Sequence, residues 1–187
     1  MTDAVPENGS QPLLPTIERF DVDRHDRESF TCGKPSLDSY LRDSAESDER
    51  NRAATVFVMI APGDSAPLRY ILGYYTLSAF AFQRDQGRRK DRDRALPSYR
   101  IVPALLIGRF ALDHAFHGRG LGSTLLLAVF AKAAQLSGEI GISVVVVHAL
   151  DDDAARFYLH QGFTAFKDEP RHLYIPMATI ETLVAIG

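Results

Sequence analysis

The stretch between Pro103 and Gly138 constrains this chain more than any other. A largely apolar run, Ala104 to Asp113, leads into His117-Gly118-Arg119-Gly120-Leu121-Gly122, and an amphipathic segment extends from about Arg119 to Leu136. The run, bounded by Pro103 on one side and by the residues from His114 to Gly122 on the other, predicts a buried strand. In the segment beyond it Leu125, Leu126, Val129, Phe130 and Ala133 recur at helical spacing, and Gly138 stands where a helix stop is expected. A strand that passes through close-set glycines into a helix leaves main-chain N–H groups pointing outward at the helix start, and glycine lets a phosphate approach them. Two nucleotide patterns are excluded, because GxGxxG requires glycine where Ser123 stands and no Gly-Lys-Ser/Thr is present. On these residues alone, an anion site and a plain chain reversal both stand.

The rest of the chain organises around that unit. Ile142 to Leu150 is β-branched and almost wholly apolar, which predicts a central strand covered on both faces. Asp151-Asp152-Asp153 is an acidic helix start, continued by Ala154 to His160 and stopped at Gly162. Upstream, Ile17 to Asp21 reads as a short strand, and Pro35-Ser36-Leu37-Asp38 opens a helix running through Tyr40, Leu41 and Ala45. Ala54 to Ala61 and Arg69 to Phe82 read as an antiparallel hairpin turned by Pro62-Gly63-Asp64-Ser65. Two short strands, near Phe163 to Phe166 and His172 to Met177, finish the pattern. The order predicts an α/β fold, a mixed sheet covered by helices. Residues 1–15, with three prolines and little apolar periodicity, are expected to form a flexible tail, leaving 16–187 as one domain.

Composition limits the function classes. A chain of 187 residues with 45% hydrophobic content suits one globular domain. Cys32 is its single cysteine, so no internal disulfide can form, and a reducing, cytoplasmic setting is expected. No window approaches the roughly 18 to 20 apolar residues of a membrane span. The net charge of −3 argues against bulk attraction to nucleic acid, yet Arg84 to Arg100 holds seven basic residues against three acidic ones. Arg88, Arg89, Lys90, Arg92 and Arg94 are therefore candidates for an anion-facing surface, or for a solvated loop. His114, His148 and His160 lack metal-ligand spacing with acidic partners, so no metal is expected. No Ser/His/Asp triad or Cys/His pair is evident, which fits direct group transfer without an acyl-enzyme.

Two motifs carry a resemblance. His117 to Gly122 is similar to the pyrophosphate loop Q/R-x-x-G-x-G/A of the GNAT family of N-acetyltransferases, with both glycines in place and histidine at the Gln/Arg position. Downstream, Asp151, Ala154, Tyr158, Gly162 and Phe163 match the family's Asn-x-x-Ala-x-x-x-Tyr-x-x-x-Gly-Phe at every position but the first. The resemblance implies acetyl-CoA as cosubstrate and a sheet in which two parallel strands splay apart around its pantetheine arm, with helices on both faces. It implies that the main chain of Phe110, Ala111 and Leu112 binds the pantetheine. The loop of His117, Gly118, Arg119, Gly120, Leu121, Gly122 and Ser123 would hold the diphosphate, with Asp151 and Ala154 beside the cofactor. It also makes Tyr158 the acid that protonates the departing thiolate; from residue type alone, a core tyrosine with a satisfied hydroxyl remains open.

A narrower likeness spans Ile17 to Ile180. Phe30 to Leu41, Gly73 to Ser78 and Gly108 to Asp113 resemble the acetyltransferase toxins of type II toxin-antitoxin modules. That resemblance implies acetylation of the α-amino group of aminoacyl-tRNA, a block to translation, a ribbon-helix-helix antitoxin and a homodimer. The five basic residues from Arg88 to Arg94 would then meet tRNA phosphates. A protein or small-molecule amine as acceptor, or an acyl-CoA-binding module without turnover, are the alternatives.

Overall fold

The computed structural model describes residues 15–83 and 96–186. Among them eight strands form the sheet: β1 (Thr16–Arg19), β2 (His25–Asp26), β3 (Thr55–Ile60), β4 (Arg69–Gln83), β5 (Ile101–Leu112), β6 (Val144–His148), β7 (Thr164–Phe166) and β8 (Glu169–Pro176). The helices are α1 (Pro35–Ser39), α2 (Ala45–Arg50), α3 (Leu121–Ser137), α4 (Asp152–His160) and α5 (Met177–Ile186). The strand order is β1-β3-β4-β5-β6-β8-β7, with β2 added in parallel beside β4. Every neighbouring pair on that path is antiparallel except β5 and β6.

Period-two alternation fills both faces of β5 and β6. Leu105, Ile107, Val145 and Val147 pack with Leu125, Leu126, Val129 and Phe130 of α3 and with Ile180 of α5. Val102, Ala104, Val144 and Val146 belong to a second cluster with Tyr174, Phe80 and Phe82 on the opposite face. Farther along that sheet, Val56, Val58, Ile71 and Tyr74 bury Phe30, Tyr40, Leu41 and Ala45 of the N-terminal segment. Each fully buried aliphatic side chain stabilises the fold by roughly 1.5–3 kcal/mol, so β6, almost wholly apolar, is held from both sides.

Several boundaries differ from the sequence expectation. β5 begins at Ile101, upstream of Pro103, which sits inside the strand opposite Ala81. Proline lacks the ladder donor, but its carbonyl still accepts the Ser143 N–H at 3.0 Å. The helix expected from Pro35 is interrupted by a π-helical turn at Tyr40–Ser44, closed by the Ala45 N–H on the Tyr40 carbonyl. That widened turn carries the consecutive residues Tyr40 and Leu41 into the core together. The last strand starts at Glu169 rather than His172, and α5, which the sequence pattern did not signal, follows it.

Candidate functional site

The site begins where β5 and β6 separate. Their parallel pairing runs from Ala104–Val144 to Ile107–Val147 and stops there. On the other edge of β5 the register with β4 jumps from Ile107 opposite Leu77 to Arg109 opposite Thr76, making Gly108 the extra residue of a bulge. A Cβ at Gly108 would lie 2.9 Å from Thr76 Oγ1, so only glycine fits without displacement. Thr76, itself buried, accepts the Arg109 N–H on that same oxygen at 2.9 Å. Beyond the bulge, the main chain from Gly108 to Leu112 has no β6 partner.

The gap opens into a cavity of about 750 Å³, within the roughly 300–1,000 Å³ typical of small-molecule sites. Phe110, Ala111 and Leu112 form one wall, and Val147, His148, Ala149, Leu150 and Asp151 the other. Ala154, Phe157 and Tyr158 of α4 close its floor. The Phe110 ring packs against those of Phe157 and Tyr158, at 5.7 and 5.9 Å between centroids. An extended chain carrying amides fits such a gap, because it can pair with the unladdered peptide groups of β5 while its methylenes lie on apolar walls.

At the wide end, buried Asp113 braces the turn. Its carboxylate accepts the N–H groups of Thr31 and Ala115 and the Tyr70 hydroxyl, at 3.0, 2.9 and 2.9 Å. Gly118 and Gly120 take left-handed φ of 73° and 77°, which favour glycine. Gly120 caps α3 with no side chain, so the Leu121 and Gly122 amides precede the first intrahelical acceptor and face outward. A diphosphate suits those donors and the positive end of the helix dipole. His117 donates from Nε2 to the Leu112 carbonyl at 2.9 Å, lacing the turn to the end of β5. A Cβ at Gly122 would meet the Phe157 ring at 3.5 Å, and Gln161 donates to Ser123 Oγ at 3.2 Å, so α3 and α4 start and end side by side.

The first position of the downstream motif is also accounted for. Asp151 caps α4 by accepting the Ala154 N–H at 2.9 Å, as asparagine would. Its second oxygen takes Lys34 Nζ at 2.8 Å. That bond, ahead of the cap, holds the Asp151 carboxyl below the usual carboxylate range.

Tyr158 is 4% exposed and lines the cavity; its hydroxyl makes no hydrogen bond among the described residues, and since no fully buried side-chain polar atom there lacks a partner, the oxygen reaches the open space of the cavity. Burial alone pushes its phenol well above the ordinary tyrosine value, so the proton is retained at neutral pH. The satisfied core hydroxyl left open by the sequence is not what the structure contains.

Of the residues singled out from sequence, Phe110, Ala111, Leu112, His117, Gly122, Asp151, Ala154 and Tyr158 line one cavity. Gly118, Arg119, Gly120, Leu121 and Ser123 belong to the turn and helix start beside it, with Arg119 over the Phe116 ring at 5.4 Å. Arg88, Arg89, Lys90, Arg92 and Arg94 lie outside the described residues. Sequence reasoning missed four lining residues from the N-terminal segment, Cys32, Lys34, Ser36 and Leu37, and also Arg109 and His148. Burial and Asp38 raise the Cys32 thiol to about 12, which leaves it a poor nucleophile. Among the described residues no cluster of His, Cys, Asp and Glu could hold a metal ion, and no helix is long and apolar enough to cross a membrane.

Comparison with known proteins agrees with this geometry. The profile of the Acetyltransferase (GNAT) domain matches residues 72–165. A tRNA-acetylating toxin of Mycobacterium tuberculosis (strain ATCC 25618 / H37Rv) is 34% identical over 163 residues, 87% of this chain and 92% of that protein. The structure of AtaT complexed with acetyl-methionyl-tRNAfMet superposes with a TM-score of 0.78 at 30% identity, covering 90% of this chain and 98% of the other. That of AtaTR bound with AcCoA gives 0.77 at 31% identity, covering 90% and 97%. The profile match over half of the chain and a relative 34% identical over most of both proteins show that the chain belongs to the GNAT acetyltransferase family.

Proposed function

We propose that this acetyltransferase moves the acetyl group of acetyl-CoA onto the free α-amino group of aminoacyl-tRNA and so acts as the toxin of a toxin-antitoxin pair. The observation that carries the chemistry is Tyr158 at the wall of the gap between β5 and β6, its phenol held protonated by burial and engaged in no hydrogen bond among the described residues. The acceptor assignment rests on the likeness to a tRNA-acetylating toxin and to AtaT, whose complex holds acetyl-methionyl-tRNAfMet.

In this reading acetyl-CoA supplies an activated thioester, and the chain does the positioning. Peptide groups from Phe110 to Leu112 align the pantetheine, and the amides of Leu121 and Gly122 take the diphosphate, as does the rest of the loop from His117 to Ser123. Asp151 and Ala154 fix the start of α4 and thereby the direction of Tyr158. Tyr158 gives its proton to the sulfur as the carbon–sulfur bond breaks. Burial makes a phenolate costly, so a proton shed by the amine nitrogen must replace the one Tyr158 gives up.

The transferase unit is assigned to residues 16–187. Arg88, Arg89, Lys90, Arg92 and Arg94 would contact phosphates of the tRNA acceptor end, making acetylation salt-dependent. A ribbon-helix-helix antitoxin, homodimerisation and a cytoplasmic setting complete the proposal.

The test is incubation with acetyl-CoA and total aminoacylated tRNA, followed by mass analysis of the released amino acids. Acetylated amino acids are expected, with Tyr158→Phe lowering turnover by about 10²–10⁴ while acetyl-CoA still binds. An amine panel in which only proteins or small amines are acetylated would replace the acceptor; binding without any turnover would leave an acyl-CoA-binding module.

A further inference from the structure

We infer that His148 is the base that takes the proton from the incoming ammonium group of the acceptor, a role that rests on the transferase reading above. His148 follows Val147, the last β6 residue paired with β5, and so stands where the two strands part. His148 lines the same cavity as Tyr158. Alternation along β6 sets the two groups on different sides: Val145 and Val147 pack with Tyr158 towards α3 and α4, whereas Val144 and Val146 share the opposite face with Phe80, against which His148 packs. An acid for the sulfur on one side and a base for the nitrogen on the other is the arrangement that acyl transfer to an amine requires.

The surroundings prepare the ring for that task. Opposite it in register, His172 of β8 stacks on His148 at 3.9 Å between centroids and 24° between planes, and the Phe80 ring meets its edge at 5.7 Å. His172 is committed elsewhere, since its Nδ1 bonds the Glu169 carboxylate. The His148 nitrogens have no hydrogen bond among the described residues and can serve an incoming group. Partial burial first, then the neighbouring His172, lowers the His148 pKa, with Glu169 opposing. The other charged groups on the cavity wall are Arg109 of β5, Lys34, Asp151 and Asp153, of which Lys34 and Asp151 already pair with each other. His148 is consequently the neutral imidazole that a base at pH 7 must be.

The proton balance closes. Nitrogen sheds two protons as its bond to the acetyl carbon forms and the carbon–sulfur bond breaks. One passes to His148 and then to solvent; the other restores the proton that Tyr158 gives to sulfur.

The experiment measures aminoacyl-tRNA acetylation against pH for the wild type, His148→Ala, His148→Gln and His172→Gln, with acetyl-CoA binding and urea denaturation as controls for folding. Both His148 variants are expected to bind acetyl-CoA normally and to lose about 10²-fold in turnover near neutral pH. Added imidazole should restore His148→Ala in proportion to its free-base form, and should not restore Tyr158→Phe. His172→Gln, by removing a like charge, should move the acidic limb of the profile to higher pH. His148→Ala with wild-type turnover, or a loss that imidazole does not relieve, overturns the role while leaving the transferase intact. A wild type that acetylates no amine at any pH removes the transferase proposal and this inference with it.

Discussion

Gly108→Ala is the most direct probe of how the cavity is made. The added methyl would stand 2.9 Å from Thr76 Oγ1, with no other atom outside the adjacent residues within 4 Å. Thr76 is β-branched and only 2% exposed, so it has little freedom to give way. If the hydroxyl moves, the Arg109 N–H loses its acceptor, which costs about 1–3 kcal/mol. Crowding of the bulge adds an overpacking cost of the same order. The expected loss is about 2–4 kcal/mol, set against the roughly 5–15 kcal/mol of a typical domain, so the variant should still fold. Acetyl-CoA affinity should fall as well, because the bulge turns β5 away from β6. Urea denaturation and calorimetry measure both effects. Thr76→Ala alone should cost about 1–3 kcal/mol through the orphaned amide. Adding Gly108→Ala on top of it should cost nothing, or stabilise by about 0.4–1 kcal/mol through the stiffer unfolded chain. Equal penalties for Gly108→Ala in both backgrounds would refute the contact, and a fully stable single variant would refute the reading of the bulge.

Three further outcomes follow from the same geometry. His117→Ala, which frees the Leu112 carbonyl, should lower stability by about 0.5–1.5 kcal/mol and weaken acetyl-CoA binding in a calorimetric titration. Asp151→Ala should cost about 0.5–2 kcal/mol in urea through loss of the α4 cap. Because Asp26, Asp38 and Asp151 are held below their ordinary 3.8 in the folded state, their stabilisation is present above that pH and is lost as acid protonates them; the variant's acid denaturation should be correspondingly shallower. In alkali the sign reverses: Cys32 and Tyr70 rise from 9.0 and 10.0 to about 12 each, so the unfolded chain ionises first. Stability should be complete below pH 9, fall between about 9 and 12, and fall less steeply in Cys32→Ala.

The central part of the fold was legible because its signals are local. The apolar run, the glycines with positive φ and the β-branched stretch each speak within a few residues, and they correctly predicted β5, the turn, α3, β6 and α4. Asp151 shows the same economy, since an acidic residue before Ala154 can only cap if the helix begins where it does. What escaped depends on distant partners. Lys34 reaches Asp151 across 117 positions, and Asp113 holds Thr31 across 82, so the contribution of the N-terminal segment to the cavity has no local signature. His148 carried no distinguishing pattern until β8 brought His172 against it. α5 has no clear mark in the sequence because Ala178, Thr179 and Leu183 are exposed and its apolar content shows weak sidedness, and Pro103, a residue rare inside strands, masks the start of β5 at Ile101.

The parting of β5 and β6 presents a ligand with peptide groups, which every amino acid supplies in the same form. A binding surface of that kind is nearly blind to mutation along its length, provided the bulge and the turn keep their shape. A changed side chain elsewhere on the cavity wall would therefore alter what fits beside such a ligand more than the grip on the ligand itself.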